Sequence, residues 1–223
     1  MCFYSIATDP PIVGSLEVLQ VDPSSYDADG TGQNVLLVNY GRLSCGSDQW
    51  GPGFTNHTDN FGRSWQSDED FRSEDSRSVA RSLSTLEKIK GVDQAPNYFP
   101  MKLYQTAVTV SGGGSLVYEL EVDAKLDYLL WFHFSEIDST VKKAGQRVFD
   151  LVVNDNNVSR VDVFHEVGGF AAYSLNYTVK NLSSTIVTVK LSSVSGAPII
   201  SGLENYAIVP ADMATVPEQG TSS

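Results

Sequence analysis

From residue 106 onward the chain reads as strand after strand. Runs of apolar and β-branched residues (TAVTV, LVYELEV, YLLWFHFSEI, RVFDLVVN, VSRVDVF, AYSLNYTV, TIVTVKL and LENYAIV) follow one another with turn residues between them. Alternation is clearest where Tyr173, Leu175, Tyr177 and Val179 take one face and Ser174, Asn176 and Thr178 the other, which is the pattern of a half-buried strand. The stretch Trp131-Phe132-His133-Phe134 is apolar on both faces, as in a central strand. Gly112-Gly113-Gly114 marks a hairpin turn and, with no Lys-Ser or Lys-Thr after it, not a phosphate-binding loop. Short strands at a spacing of roughly 8–12 residues predict an all-β fold, an antiparallel jelly-roll-like β-sandwich.

Upstream the pattern loosens. NVLLVNYGRLSCG has the density of an opening strand, and residues 47–81 are loop-like, with Trp50, Phe54, Phe61, Trp65 and Phe71 set among Gly, Asp and Ser. Long loops in a compact domain are usually functional or disordered. SVARSLSTLEKIKG fits a short helix through Val79, Leu83 and Leu86, stopping at Gly91, and fits a strand equally; the pattern does not choose.

The ends of the chain resemble each other. PPIVGSLEVLQVD (10–22) and APIISGLENYAIV (197–209) superpose at an offset of 187, with Pro11 on Pro198, Leu16-Glu17 on Leu203-Glu204 and Val21 on Ile208. Self-similarity at a long interval marks duplicated units. Both copies read as the last two strands of a domain, but only about ten residues precede the first. The expected organisation is therefore a stump of a truncated preceding copy (1–22), a linker (23–34), a complete domain (35–210) and a disordered tail (211–223).

Composition narrows the function. At 41% hydrophobic and 10% aromatic the chain can bury a core, and its net charge of −12 repels phosphate backbones and anionic lipid heads. Nucleic acid is excluded as a partner. No apolar run reaches the roughly 18 residues of a membrane span, and no signal peptide opens the chain; any membrane attachment is expected to lie in segments missing from it. Two cysteines, Cys2 and Cys45, exclude a multi-disulfide scaffold and leave their pairing open. Four sequons, at Asn56, Asn157, Asn176 and Asn181, favour the secretory pathway.

Among candidate chemistries, DADGTGQN from Asp27 starts like a calcium loop, but Val38 stands where the bidentate acid belongs. The histidines His57, His133 and His165 lack ligand spacing, so neither metal nor cofactor is expected. Glu136 and Asp138 sit at i, i+2 on one strand face, about 7 Å apart, a separation found in inverting glycosidases. Two acids on one strand do not flank a scissile bond, so they read as polar contacts and catalysis is not expected. Trp50, Trp65, Tyr98, Phe99 and Tyr104 lie in segments rich in Asn, Asp and Gln. Rings that stack on sugar C–H faces beside carboxylates that accept from hydroxyls suit a saccharide platform. The alternative is that the rings pack the loops onto the sandwich. The expected ligand-binding set is Trp50, Trp65, Asp68, Tyr98, Tyr104, Glu136 and Asp138. In QRVFDLVVN, Asp150 faces away from Phe149 and Leu151 and needs a donor, expected from Arg147 or Arg63.

Five stretches together, DNFGRSWQSDEDF (59–71), APNYFPMKLYQTA (95–107), LWFHFSEID (130–138), QRVFDLVVN (146–154) and VDVFHEVGG (161–169), resemble the malectin-like domain in order and spacing. The likeness runs from about Leu43 to Val209 and is greatest to plant receptor-like proteins and receptor-like kinases with tandem malectin-like ectodomains, often followed by leucine-rich repeats. It implies a non-catalytic extracellular module at the plasma membrane, binding a saccharide or a peptide, with a co-receptor as a further partner. The acidic loop from Asp68 to Asp75 departs from a plain malectin. A saccharide ligand is the first expectation and protein or peptide recognition the second.

Overall fold

The computed structural model describes residues 24–26, 35–112 and 114–210. The 1–22 strands, Cys2, the calcium-like loop from Asp27 and the 211–223 tail lie outside them.

In chain order the elements are β1 (Val35–Ser44), β2 (Gln66–Ser67), α1 (Glu74–Val79), β3 (Ala80–Ser84), α2 (Met101–Tyr104), β4 (Thr106–Val110), β5 (Ser115–Glu121), β6 (Asp127–Ser135), β7 (Val148–Val153), β8 (Asn156–Val161), α3 (Val163–Val167), β9 (Ala172–Val179), β10 (Ile186–Ser195), β11 (Ile199–Ile200) and β12 (Gly202–Pro210). A five-stranded sheet, β2-β1-β12-β6-β9, packs on a four-stranded sheet, β5-β10-β7-β8, and a three-stranded sheet, β11-β4-β3. Pairing is antiparallel except between β1 and β2. This is the all-β sandwich the alternation predicts.

Burial follows the pleat. Along β6, Tyr128, Leu130, Phe132 and Phe134 enter the main core with Leu116, Tyr118, Phe149, Leu151, Val187 and Val189. Leu129 and Trp131, on the opposite face, form a second cluster with Tyr206 and Ile208, packed by Tyr26, Leu37 and Phe99. Both faces of β6 and β12 are therefore covered, which is why these two strands carry so little polar sequence. On β9, Tyr173, Leu175, Tyr177 and Val179 pack on the core and Asn176 is exposed, as the alternation requires.

The undecided segment (78–91) resolves as a strand, since the helix before it ends at Val79 and Leu83 lies in β3. Ser73 caps α1 by accepting from the Ser76 N–H, Glu74 and Asp75 occupy the first turn, and Ala80 at ψ 140° turns the chain into β3, which pairs with β4. The second copy of the repeat forms β11 and β12. Gly202 begins β12 where a Cβ would meet Leu103 Cδ1 at 2.7 Å, so the small residue lets α2 lie close against the strand.

Asp150 has a different partner from the one expected. Arg160, across the β7–β8 ladder, donates to both carboxylate oxygens at 2.8 and 3.1 Å, while Arg147 and Arg63 are committed elsewhere. Cross-strand register places Arg160 opposite Asp150, and both side chains reach solvent.

Candidate functional site

The seven expected ligand contacts divide among three places. Trp50 and Trp65 are 1% and 0% exposed and stack on each other inside the core. Their loops close because Gly51, at φ 102°, lets backbone approach where a Cβ would meet Arg63 O at 2.5 Å. Tyr104 is buried, and its hydroxyl donates to His133 Nδ1 at 2.9 Å. Asp68 is also buried, accepting from Arg72 twice, from the Gly46 N–H and from the Tyr118 hydroxyl. These four side chains hold loops onto the sandwich, so an open ring platform built from them is not present. Burial of the rings gains more than exposing them to water would allow. Tyr98 is half-buried at φ 45°, its ring tilted on Phe61 at 5.8 Å.

Glu136 and Asp138 do lie together, but they converge on one cation. Arg147 Nε donates to Glu136 Oε2 at 2.6 Å and its terminal nitrogen to Asp138 Oδ2 at 3.0 Å, while the same guanidinium donates to Ala197 O at 2.5 Å. Burial pushes the Glu136 carboxyl up despite Arg147, whereas hydrogen bonds from Thr140 and the charge of Arg147 hold Asp138 down against its own desolvation. The arrangement is a clamp in which one guanidinium holds both acids.

Sequence reasoning missed a larger polar network on the outer face of β6 and β12. Glu204 is wholly buried and accepts from His133 Nε2 at 2.9 Å, Arg42 Nε at 3.2 Å, the Tyr26 hydroxyl at 2.9 Å and, at closer range, the Tyr206 hydroxyl. Burial would raise its carboxyl, but His133, Arg42 and Arg63 together hold it well below the usual range. Desolvation pushes His133 down, so the neutral imidazole donates from Nε2 and accepts from Tyr104 at Nδ1. Arg63 ties the network to Asp59 at 2.6 Å, to the Tyr26 hydroxyl and to the carbonyls of Asn97 and Tyr98. Tyr26, from the expected linker, is therefore seated in the domain, edge-on to Phe99, Trp131 and Tyr206. One sequence signal pointed here, because the Leu-Glu pair that supplies Glu204 recurs in both copies of the repeat.

One open cleft of the surface lies at the side of the sandwich, between β1 and β5. A cleft of about 390 Å³ is lined by Tyr40 and Gly41 of β1, Asn205 of β12, Glu119 and Glu121 of β5, and Asp70 and Phe71 before α1. The three acids are exposed and, among the described residues, none is ion-paired. Only Asp70 belongs to the acidic loop singled out in the sequence; Glu119 and Glu121 flank buried Leu120 along β5. The four sequon asparagines, Asn56, Asn157, Asn176 and Asn181, are all exposed. Cys45 is buried and free, its Sγ 3.6 Å from the Tyr118 hydroxyl oxygen, with its thiol pushed up by desolvation.

Comparison with known proteins agrees with this fold. The family model described as the malectin-like domain matches residues 1–208. Receptor-like protein 4 of Arabidopsis thaliana is 34% identical over 235 aligned residues, covering 98% of this chain and 35% of that protein. The crystal structure of the plant receptor-like kinase FER superposes with a TM-score of 0.70 at 19% identity, covering 86% of this chain and 55% of that one. A second structure, of the plant peptide RALF23 in complex with FER and LLG2, gives 0.68 at 21%, covering 78% and 50%. The chain thus spans about a third of Receptor-like protein 4 and half of the FER chains.

Proposed function

As the chain belongs to the malectin-like domain family, we propose that it is a non-catalytic recognition module of a plant receptor-like protein, and that its partner is a polypeptide. The observation that carries this reading is the inversion of polarity between interior and surface. The loop rings suited to sugar stacking are turned into the core, whereas the open cleft presents carboxylates without cations. A negative field over such an opening favours a basic protein surface or peptide. The FER structure that contains RALF23 and LLG2 supports a peptide and co-receptor setting for a domain of this fold. Exposure of all four sequon asparagines supports the cell-surface location, and no helix among the described residues is long and apolar enough to cross a membrane. The Arg147 clamp on Glu136 and Asp138 supports the non-catalytic reading.

The test is a titration of the secreted protein at low and high salt with a cationic peptide and with neutral glucose disaccharides and wall oligosaccharides. Polypeptide recognition predicts binding of the cationic peptide that weakens steeply with salt. A salt-insensitive response to a neutral saccharide at millimolar concentration would replace this reading with the saccharide one.

A further inference from the structure

Asn205 is 4% exposed and lines the side cleft, yet its carboxamide oxygen has no hydrogen-bond partner among the described residues. Buried amide oxygens are normally paired. The strand does not need an amide there, because the first copy of the repeat has Val18 at the corresponding position. Gly41 stands directly across the ladder from Asn205, so a side chain at 41 would share its face. A Cβ built on Gly41 meets nothing within 4 Å. The missing side chain leaves open space on that face of the ladder at Gly41.

The chemistry of that space is one-sided. Asp70, Glu119, Glu121 and the Asn205 oxygen are all acceptors, and the Tyr40 hydroxyl already donates to Asp123. Apart from the amide's own nitrogen, the donors must come from an occupant. Among the described residues, both strand edges are unpaired along part of the cleft. β2 covers β1 only at Leu43 and Ser44, leaving residues 36–41 paired on the β12 side alone among the described residues. β5 is paired by β10, and among the described residues its outer edge is met by the Arg72–Tyr118 bridge and by Ser73 and Ser76 at Val117, short of residues 119–121. Leu36, Val38 and Tyr40 are exposed along the β1 edge.

We infer that this cleft binds an extended basic segment of a partner polypeptide, which adds as a strand to the free edge of β1 and places an arginine beside Asn205. The guanidinium enters the negative field of Asp70, Glu119 and Glu121, which line the cleft with Asn205. Arginine fits better than lysine because its five fixed donors can serve several acceptors at once. Main-chain hydrogen bonds to an exposed edge give such complexes their affinity, and alternate side chains give them specificity. The inference rests on the reading of the chain as a polypeptide-recognition module and assigns that module its site.

The experiment is fluorescence anisotropy on the full chain at low salt with a short labelled peptide alternating arginine and valine. Its controls are the citrulline counterpart, which keeps the shape and loses the charge, and a counterpart N-methylated on alternate residues. Gly41→Val fills the cleft at a position with ordinary backbone and open space, so its melting midpoint should equal or exceed that of wild type. The expected result is binding of the arginine peptide to wild type, weakened at least about tenfold by citrulline, by N-methylation and by Gly41→Val. No binding of the arginine peptide, equal binding of either control, or equal binding by folded Gly41→Val overturns the inference. Equal, salt-sensitive binding by Gly41→Val would remove this site while leaving a polypeptide-recognition module standing. A neutral saccharide response would instead remove the module reading itself.

Discussion

Trp50 and Trp65 lie face to face inside the protein, with ring centroids 5.6 Å apart, planes at 19° and each backbone N–H donating to the other's carbonyl at 2.9 and 2.8 Å. A loop that looks open in sequence is thereby closed by its own aromatics. Trp65→Ala should cost about 3–5 kcal/mol of unfolding free energy through the cavity it leaves, measured by chemical denaturation. The remaining tryptophan, Trp131, is 7% exposed. The native protein should therefore emit at short wavelength and resist acrylamide quenching. Strong quenching of the native state would contradict the packed loops.

Arg147 organises the far end of the sandwich through Glu136, Asp138 and the Ala197 carbonyl. Removing the cation leaves Glu136 buried without its partner, and breaking a buried pair in this way typically costs about 3–5 kcal/mol. Arg147→Ala should be destabilised to that extent. Glu136→Gln, which keeps an acceptor for Arg147, should lose less. Equal stability of Arg147→Ala and wild type in urea would show that the clamp contributes nothing.

The sheet framework was legible because its cause is local. Period-two alternation in β9 and two-faced hydrophobicity in β6 follow directly from which side of a strand meets the core, so residues such as Leu175 and Phe132 declare themselves. Side-chain partners were not legible, because they depend on register and on which loop folds over which sheet. Asp150 was matched to the wrong arginine since nothing in the sequence states that Arg160 stands opposite it. The loop tryptophans were ambiguous for a related reason, as an aromatic among Gly and Asp has the same composition whether it faces water or core. Gly41 and Asn205 were invisible as a pair, being 164 positions apart and brought together only by the β1–β12 ladder.

Asp68 and Asp150 each hold an arginine, and burial separates their consequences. Asp68 is 0% exposed and serves Arg72, Gly46 and Tyr118 together. Asp68→Ala strands several donors at once and should cost about 3–5 kcal/mol. Asp150 pairs with an exposed Arg160, both partners can return to water, and such pairs contribute little. Asp150→Ala should therefore melt close to wild type. Thermal scans of the two variants side by side check the contrast, and comparable losses would refute it.

His133 links the fold to pH. It is wholly buried, faces Tyr104, Glu204 and Arg63, and is ringed by Trp65, Phe99 and Trp131. Desolvation holds its pKa below the ordinary value of 6.5, so as pH falls through that value the unfolded chain takes up a proton that the native state refuses. Stability from this group is thus full above about pH 6.5 and declines on acidification, with a slope of up to about 1.4 kcal/mol per pH unit for one proton. Glu204, held low, keeps its contribution until the pH falls below its ordinary carboxylate value of 4.5, and loses it on further acidification. Glu136, raised by burial, acts in the opposite direction as it protonates in the fold, softening the acid limb. Urea unfolding at pH 7.5, 6.5 and 5.5 should therefore show falling stability. His133→Gln, which removes the titrating ring and leaves the exposed His57 and His165 in place, should flatten that decline. A slope in the variant equal to that of wild type would assign the pH dependence to some other group.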